Sequence, residues 1–152
     1  KWNNIPVYLI IKNYSFIIDR SSKSQNWRYV NNPEKYSFLT VRSQGKLIGY
    51  CIYINTPGDG EYDISIADYL FLNDHEVALG LCLTKIYETA FLNSVRSINV
   101  WCEITSPFYT IFRNYGLRET NKIPIIFFGS QINRVISKKN NNHFTMGDSD
   151  NV

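Results

Sequence analysis

The chain holds few of the residues that mark a chemical class: among 152 there are three cysteines, two histidines and one methionine. Cys51, Cys82 and Cys102 lie far apart inside apolar segments with no CxxC pair. That argues against a disulfide framework and a zinc site, and it leads us to expect reduced core thiols in a cytoplasmic protein. His75 stands among acids and His143 in a polar terminal stretch, so no HxxxH or His/Cys ligand spacing exists and no metal is expected. Gly147–Asn151 has the Asp and Gly of a calcium loop, but neither its spaced ligands nor its final Glu.

Long apolar runs are missing as well. Ile5–Ile11 stops at Lys12-Asn13, and Ile17-Ile18 stops at Asp19-Arg20. Neither approaches the roughly 18 residues that a membrane-spanning helix needs, so no membrane partner is expected. The net charge is +3, but the basic residues are scattered and only Lys138-Lys139 adjoin. A nucleic-acid surface would gather them into a patch, so none is expected. No signal peptide is expected, and the residues show no internal repeat and no Ser/His/Asp or Cys/His arrangement. No methionine precedes Lys1, which suggests a chain processed or cut from something longer.

What is present is enough for one packed domain. Hydrophobic residues make up 44% and charged residues 19%, too much apolar material and too little charge for a disordered chain. Aromatics are 15% and spread along the strand-like runs, as rings that fill a core and cover sheet faces are.

Residues 1–24 hold two β-rich runs, Val7–Ile11 and Ser15–Ile18, then a break at Ser21–Ser24. They read as an N-terminal segment, an edge hairpin or the remnant of an upstream domain. Residues 25–137 read as the main domain. Tyr36–Arg42 and Leu47–Ile54 form a hairpin through the Gly-containing turn Ser43–Lys46. After the loop Asn55–Gly60 comes a central strand, Tyr62–Leu72. Simple alternation puts Ile64, Ile66, Asp68, Leu70 and Leu72 on one face, and Ser65, Ala67, Tyr69 and Phe71 on the other.

Asp74 reads as the N-cap of a helix reaching Asn93-Ser94, with Leu79, Leu83, Ile86 and Ala90 as its apolar stripe. Ser97–Glu103 is the next strand. Ser106 caps a short helix with Pro107 at its first position, which ends at Asn114-Tyr115-Gly116. Ile123–Phe128 is a further strand, and residues 138–152 a polar tail, loosely held apart from Phe144. The order implies an α/β (α+β) fold, a mixed and mostly antiparallel sheet with a central parallel strand pair flanked by helices.

Trp27-Arg28-Tyr29, then Asn32-Pro33 and Tyr36, then Gly49-Tyr50, Ile66-Ala67-Asp68 and the terminal Gly147–Asn151 come in a telling order. Together they resemble the GNAT acetyltransferase superfamily over about Glu34–Gly129. More narrowly, they are similar to the GNAT-like proteins of bacterial surface-polysaccharide gene clusters, some of which carry two such halves. The resemblance implies acetyl-coenzyme A as cofactor. It implies that the backbone of Leu70, Phe71, Leu72 and Asn73 holds the pantetheine arm, with Tyr109 and Phe112 of the short helix beside it. It also implies an acyltransferase, acetyl being the usual group, acting on an amine of a sugar or small metabolite. The expected partners are a small-molecule acceptor and either a second copy or an upstream GNAT-like domain.

Asp68, a carboxylate among apolar neighbours, and Glu103 at a strand end are the candidate general bases. Against these stand a hydrogen-bonded structural Asp68 and a solvated Glu103. Trp27-Arg28 could bind an acceptor anion, or Trp27 could anchor the N-terminal segment. Two departures are plain. The family's Gly-rich diphosphate loop corresponds to Asn73–Leu79, which has no glycine, Arg or Lys and carries Asp74 and Glu76. The family's acidic Tyr corresponds to Phe112, which has no proton to give. They support an alternative reading, a GNAT-like domain that has lost catalysis and binds a partner.

Overall fold

The structure, a computed structural model, describes residues 16–17, 19–57, 61–72, 74–121, 142–143 and 145–148. The expected strand Ile123–Phe128 and the run Val7–Ile11 lie outside these residues. β1 is Phe16–Ile17. α1, Ser22–Gln25, continues as one wider π-turn through Asn26–Val30. The expected break at Ser21–Ser24 is thus a helix start, because the Ser21 hydroxyl accepts from the Ser24 amide and caps it.

β2 (Tyr36–Ser43), β3 (Lys46–Pro57), β4 (Tyr62–Phe71) and β5 (Ser97–Val100) form a four-stranded sheet in that order. The first three pair antiparallel and β4–β5 pair parallel. This is the expected mixed sheet with its parallel pair. Gln44 (φ +49°) and Gly45 (φ +77°) both take left-handed backbone at the β2–β3 turn, the geometry that matches the twist of a tight hairpin.

α2 is Leu79–Leu92, entered through a 3₁₀ turn at Glu76–Ala78. Asp74 does not cap it. Its backbone turns to φ +63°, the His75 amide bonds back to the Leu72 carbonyl, and the α-helix begins only at Leu79. α3 (Pro107–Asn114) is capped by Ser106 as expected. It stops at Gly116, whose φ is +88°. β6, Asn142–His143, pairs parallel with β1, and a 3₁₀ turn follows at Met146–Asp148.

One irregularity governs the sheet. Ile52 pairs with Asp68 but Tyr53 pairs with Ile66, so Ala67 is an extra residue on β4. A bulge reverses the alternation beyond it. Ile64 and Ile66 therefore share a face with Tyr69 and Phe71, packed against Leu79, Leu83 and Ile86 of α2 and Phe108 and Phe112 of α3. Ala67 and Leu70 face the other way, with Tyr29, Tyr50 and Ile52. The single face expected for Ile64, Ile66, Asp68 and Leu70 is corrected by this one inserted residue.

The β4–β5 ladder runs from Asp63–Ser97 to Ile66–Val100 and ends at the bulge. Its outer end is pinned by Arg96, whose guanidinium meets Asp63 Oδ2 at 2.6 Å, and by the Ser97 hydroxyl, which donates to Asp63 Oδ1 at 2.8 Å. Its inner end diverges, because β4 continues to Phe71 and β5 stops. No helix among the described residues is long and apolar enough to cross a membrane.

Gly49 sits opposite Phe71 on the neighbouring strand, where any Cβ would overlap the Phe71 ring. That ring is 1% exposed and cannot swing away. Gly49→Ala is expected to destabilise the domain by about 1–3 kcal/mol, read as a lower urea midpoint at unchanged m-value.

Candidate functional site

Two sites flank the bulge. On one face Asp68 is wholly buried at the hub of a polar cluster. Arg20 Nε lies 3.1 Å from Asp68 Oδ2. The same oxygen accepts from the Tyr50 hydroxyl at 3.1 Å and Gln25 Nε2 at 3.0 Å. The Thr145 hydroxyl is 3.3 Å from Oδ1. Arg20 also bonds Asp148 Oδ2 at 2.6 Å, and Arg28 reaches Asp148 Oδ1 at 3.1 Å. The Thr145 amide donates to Asp148 as well.

Burial works against the charge of Arg20, but the Asp68 carboxylate beside it and the hydrogen bond to Asp148 raise its pKa. Tyr50 is pushed up by burial first and by Asp68 second, so it is a neutral donor here. The cluster leaves Asp68 with ordered donors and no path to solvent. Its geometry is that of a structural carboxylate.

The cluster also joins parts of the chain that the sequence separates. Arg20 comes from the N-terminal segment, and Thr145 and Asp148 from the polar tail. That tail was expected to be loosely held, whereas His143 and Thr145 are buried. Arg20, Gln25, Thr145 and His143 gave no sequence signal. Arg28 and Asp148 did, since Trp27-Arg28-Tyr29 and Gly147-Asp148 carried the resemblance, yet their contact was not foreseen. Gly147 is needed where it stands, because a Cβ there would overlap the Tyr29 hydroxyl. Trp27 itself is 73% exposed and anchors nothing within the described chain.

On the other side lies the wedge between the end of β4 and the chain past β5. The Leu72 amide bonds to Ile48 of β3. Peptide groups alternate along a strand, so those of Tyr69 and Phe71 point away from β3 into the wedge. His143 Nε2 meets the Tyr69 carbonyl at 2.7 Å. A carbonyl only accepts, so this nitrogen carries the proton. The imidazole stands edge-on to Tyr69 at 5.1 Å and tilted against Phe108 at 5.8 Å. The Tyr69 hydroxyl crosses the wedge to the Trp101 carbonyl at 3.0 Å.

Glu103 follows on the chain past β5. Its Oε1 accepts from the Thr105 hydroxyl at 2.9 Å. Its Oε2 is buried and has no hydrogen-bond partner among the described residues. Of the other expected residues, the side chains of Leu70 and Phe71 are buried on opposite faces, and Leu72 is half-buried. Asn73 lies outside the described residues. Phe112 is buried against Tyr69, and the Tyr109 hydroxyl is turned to Glu119 at 2.6 Å. The thiol of Cys102 is pushed up to about 11 by burial, which makes it a poor nucleophile.

Acetyl-coenzyme A meets a mixed reception here. The Tyr69 carbonyl is an acceptor of the kind a pantetheine amide uses. The turn at the head of α2 does not fit a diphosphate, because it presents Asp74 and Glu76 and no basic side chain. The Tyr115 hydroxyl covers Gly80 in the first turn of the helix, 2.5 Å from where a Cβ would be.

Replacing Arg20 by Met leaves Asp68 and Asp148 buried without their shared partner. Arg20→Met is expected to cost about 3–5 kcal/mol, measured by chemical denaturation. Stability should also fall in two stages with acid. Burial pushes the His143 imidazole below 6.5, so below about pH 6.5 the unfolded chain takes up a proton that the folded one refuses. Burial pushes the Asp148 carboxyl up, but Arg20 hydrogen-bonds it and outweighs that, leaving it below 3.8. Its contribution is full above about pH 4 and lost as pH falls through the depressed value. Urea midpoints measured from pH 8 to pH 3 should show both limbs, and Asp148→Asn should flatten the lower one.

No known family profile matches the chain, and no curated protein matches it. Solved structures do. A candidate acetyl transferase of Pyrococcus furiosus superposes with a TM-score of 0.58 at 18% identity, over 82% of this chain and 91% of that one. An aminoglycoside acetyltransferase from an uncultured soil metagenome gives 0.53 at 18% identity, over 73% and 77%. An acetyltransferase of Trypanosoma brucei gives 0.53 at 12%, over 70% and 75%. At such identities the likeness is one of architecture, and the chain has the GNAT acetyltransferase fold.

Proposed function

We propose that this chain is an N-acyltransferase, with acetyl the expected group and an amine of a sugar or other small metabolite as acceptor. One observation carries the reading. Glu103 Oε2, on the chain past β5, is buried and has no hydrogen-bond partner among the described residues, while Thr105 holds the other oxygen of the same carboxylate. A carboxylate so placed attracts an ammonium acceptor and can take its proton, freeing the nitrogen lone pair to attack the acyl carbonyl. The C–S bond then breaks, and the second proton passes from the nitrogen to the departing coenzyme A thiolate. Asp68, saturated by Arg20, Tyr50 and Gln25, shapes the strand from behind and does not touch the acceptor. The sugar amine is favoured by the similarity to surface-polysaccharide proteins, and a cytoplasmic setting by the free thiols of Cys51, Cys82 and Cys102. A second copy or an upstream domain of the same fold remains the proposed protein partner.

A second reading has its own observation. By the resemblance, Asp74 and Glu76 fall in the stretch that corresponds to the family's diphosphate loop, and Phe112 at the position of its acidic Tyr. These favour a GNAT-like domain that binds a partner without transferring an acyl group.

The deciding experiment is acetyl transfer from acetyl-coenzyme A to a panel of amino sugars and polyamines. On the first reading the native chain turns over, and Glu103→Gln lowers kcat about 100-fold or more with KM little changed. If the native chain neither binds nor reacts, while a variant with Asp74 and Glu76 both changed to Gly binds acetyl-coenzyme A, the second reading holds.

A further inference from the structure

We propose that His143 is a built-in occupant of the wedge, where it holds the strand acceptor that an incoming acyl-donor arm would need and is displaced when that arm binds. The inference rests on the reading of the wedge as a donor cleft. Its support is geometric. The bulge at Ala67 ends the β4–β5 ladder and leaves the Tyr69 carbonyl facing the wedge. The His143 Nε2–H meets it at 2.7 Å, a donor of the kind that a pantetheine amide offers. The imidazole is 1% exposed and fills the space between Tyr69 and Phe108. It therefore excludes another molecule from that place.

The hold on His143 and on Thr145–Asp148 is divisible. Among the described residues the backbone pairing to β1 covers Asn142 and His143, and the imidazole packs on Tyr69 and Phe108. Thr145 bonds Asp68, and Asp148 bonds Arg20 and Arg28. The imidazole can leave the Tyr69 carbonyl while the Asp148 ion pairs stay formed, because the two attachments use different residues and different partners. Such a local opening needs far less than global unfolding. The wedge then responds to the concentration of the donor, since any ligand that binds only the open state shifts the population towards it.

Pantetheine is the probe, because it carries the amides of the arm without the diphosphate that Asp74 and Glu76 oppose. Two measurements test the proposal. In the native chain, the His143 imidazole resonance should shift and its Nε2 proton should lose protection from exchange as pantetheine is added. In His143→Ala, checked as folded by circular dichroism, pantetheine should bind about tenfold tighter by calorimetry, the removed competitor being one hydrogen bond. Pantetheine binding with His143 unmoved, or with equal affinity in both chains, overturns the occupant and leaves the acyltransferase reading standing. Pantetheine binding to neither chain overturns the donor cleft itself, and the occupant with it. Should His143→Ala not fold, the resonance measurement on the native chain decides alone.

Discussion

The inserted residue at Ala67 is the constraint from which the rest of the domain follows. Without the bulge, β4 would keep simple alternation through Ala67 and Asp68 would share the helix-packed face with Ile64 and Ile66, where a carboxylate is costly to bury. With it, the same side chain turns to the opposite face, where Arg20, Gln25 and Tyr50 wait. The ladder to β5 ends beside the bulge, so one irregularity both opens the wedge and places the charge behind it. Backbone geometry and electrostatics are here a single arrangement.

That arrangement divides the two candidate carboxylates. Asp68 is satisfied on both oxygens by neighbours that are themselves buried. Among the described residues Glu103 has a partner on one oxygen only. In a low-dielectric site an unmatched oxygen is a standing demand for a cation or a proton. The two groups looked alike as a pair of candidate bases, and their surroundings make them opposites.

Much of the architecture was legible in the residues. The hairpin followed from Gly45, the short helix from Ser106-Pro107 and Gly116, and the mixed sheet from the order of elements. The head of α2 was misread because Asp74 has the chemistry of a cap and the conformation of a turn, and both draw on its short polar side chain. The faces of β4 were misread because a bulge leaves no mark in the sequence pattern; Ala67 is apolar and fits either side. The buried cluster was hidden for a different reason. Arg20 stands just before the break at Ser21–Ser24 in the N-terminal segment, and Asp148 lies in a tail whose composition reads as solvated, so each looked like surface until the fold brought them together.

The Arg20–Asp148 contact spans 128 positions of chain. A ribosome adding about 5–20 residues each second therefore releases Asp68 and Arg20 many seconds before Asp148 can complete their cluster. During that interval β2 to β5 can pair through local contacts, but their polar face stays uncovered. Closing the longest loop last is also the slow step expected of high contact order. The nascent domain thus spends its early life with a charged hub open to water, and becomes dry at that hub only when its final described turn docks.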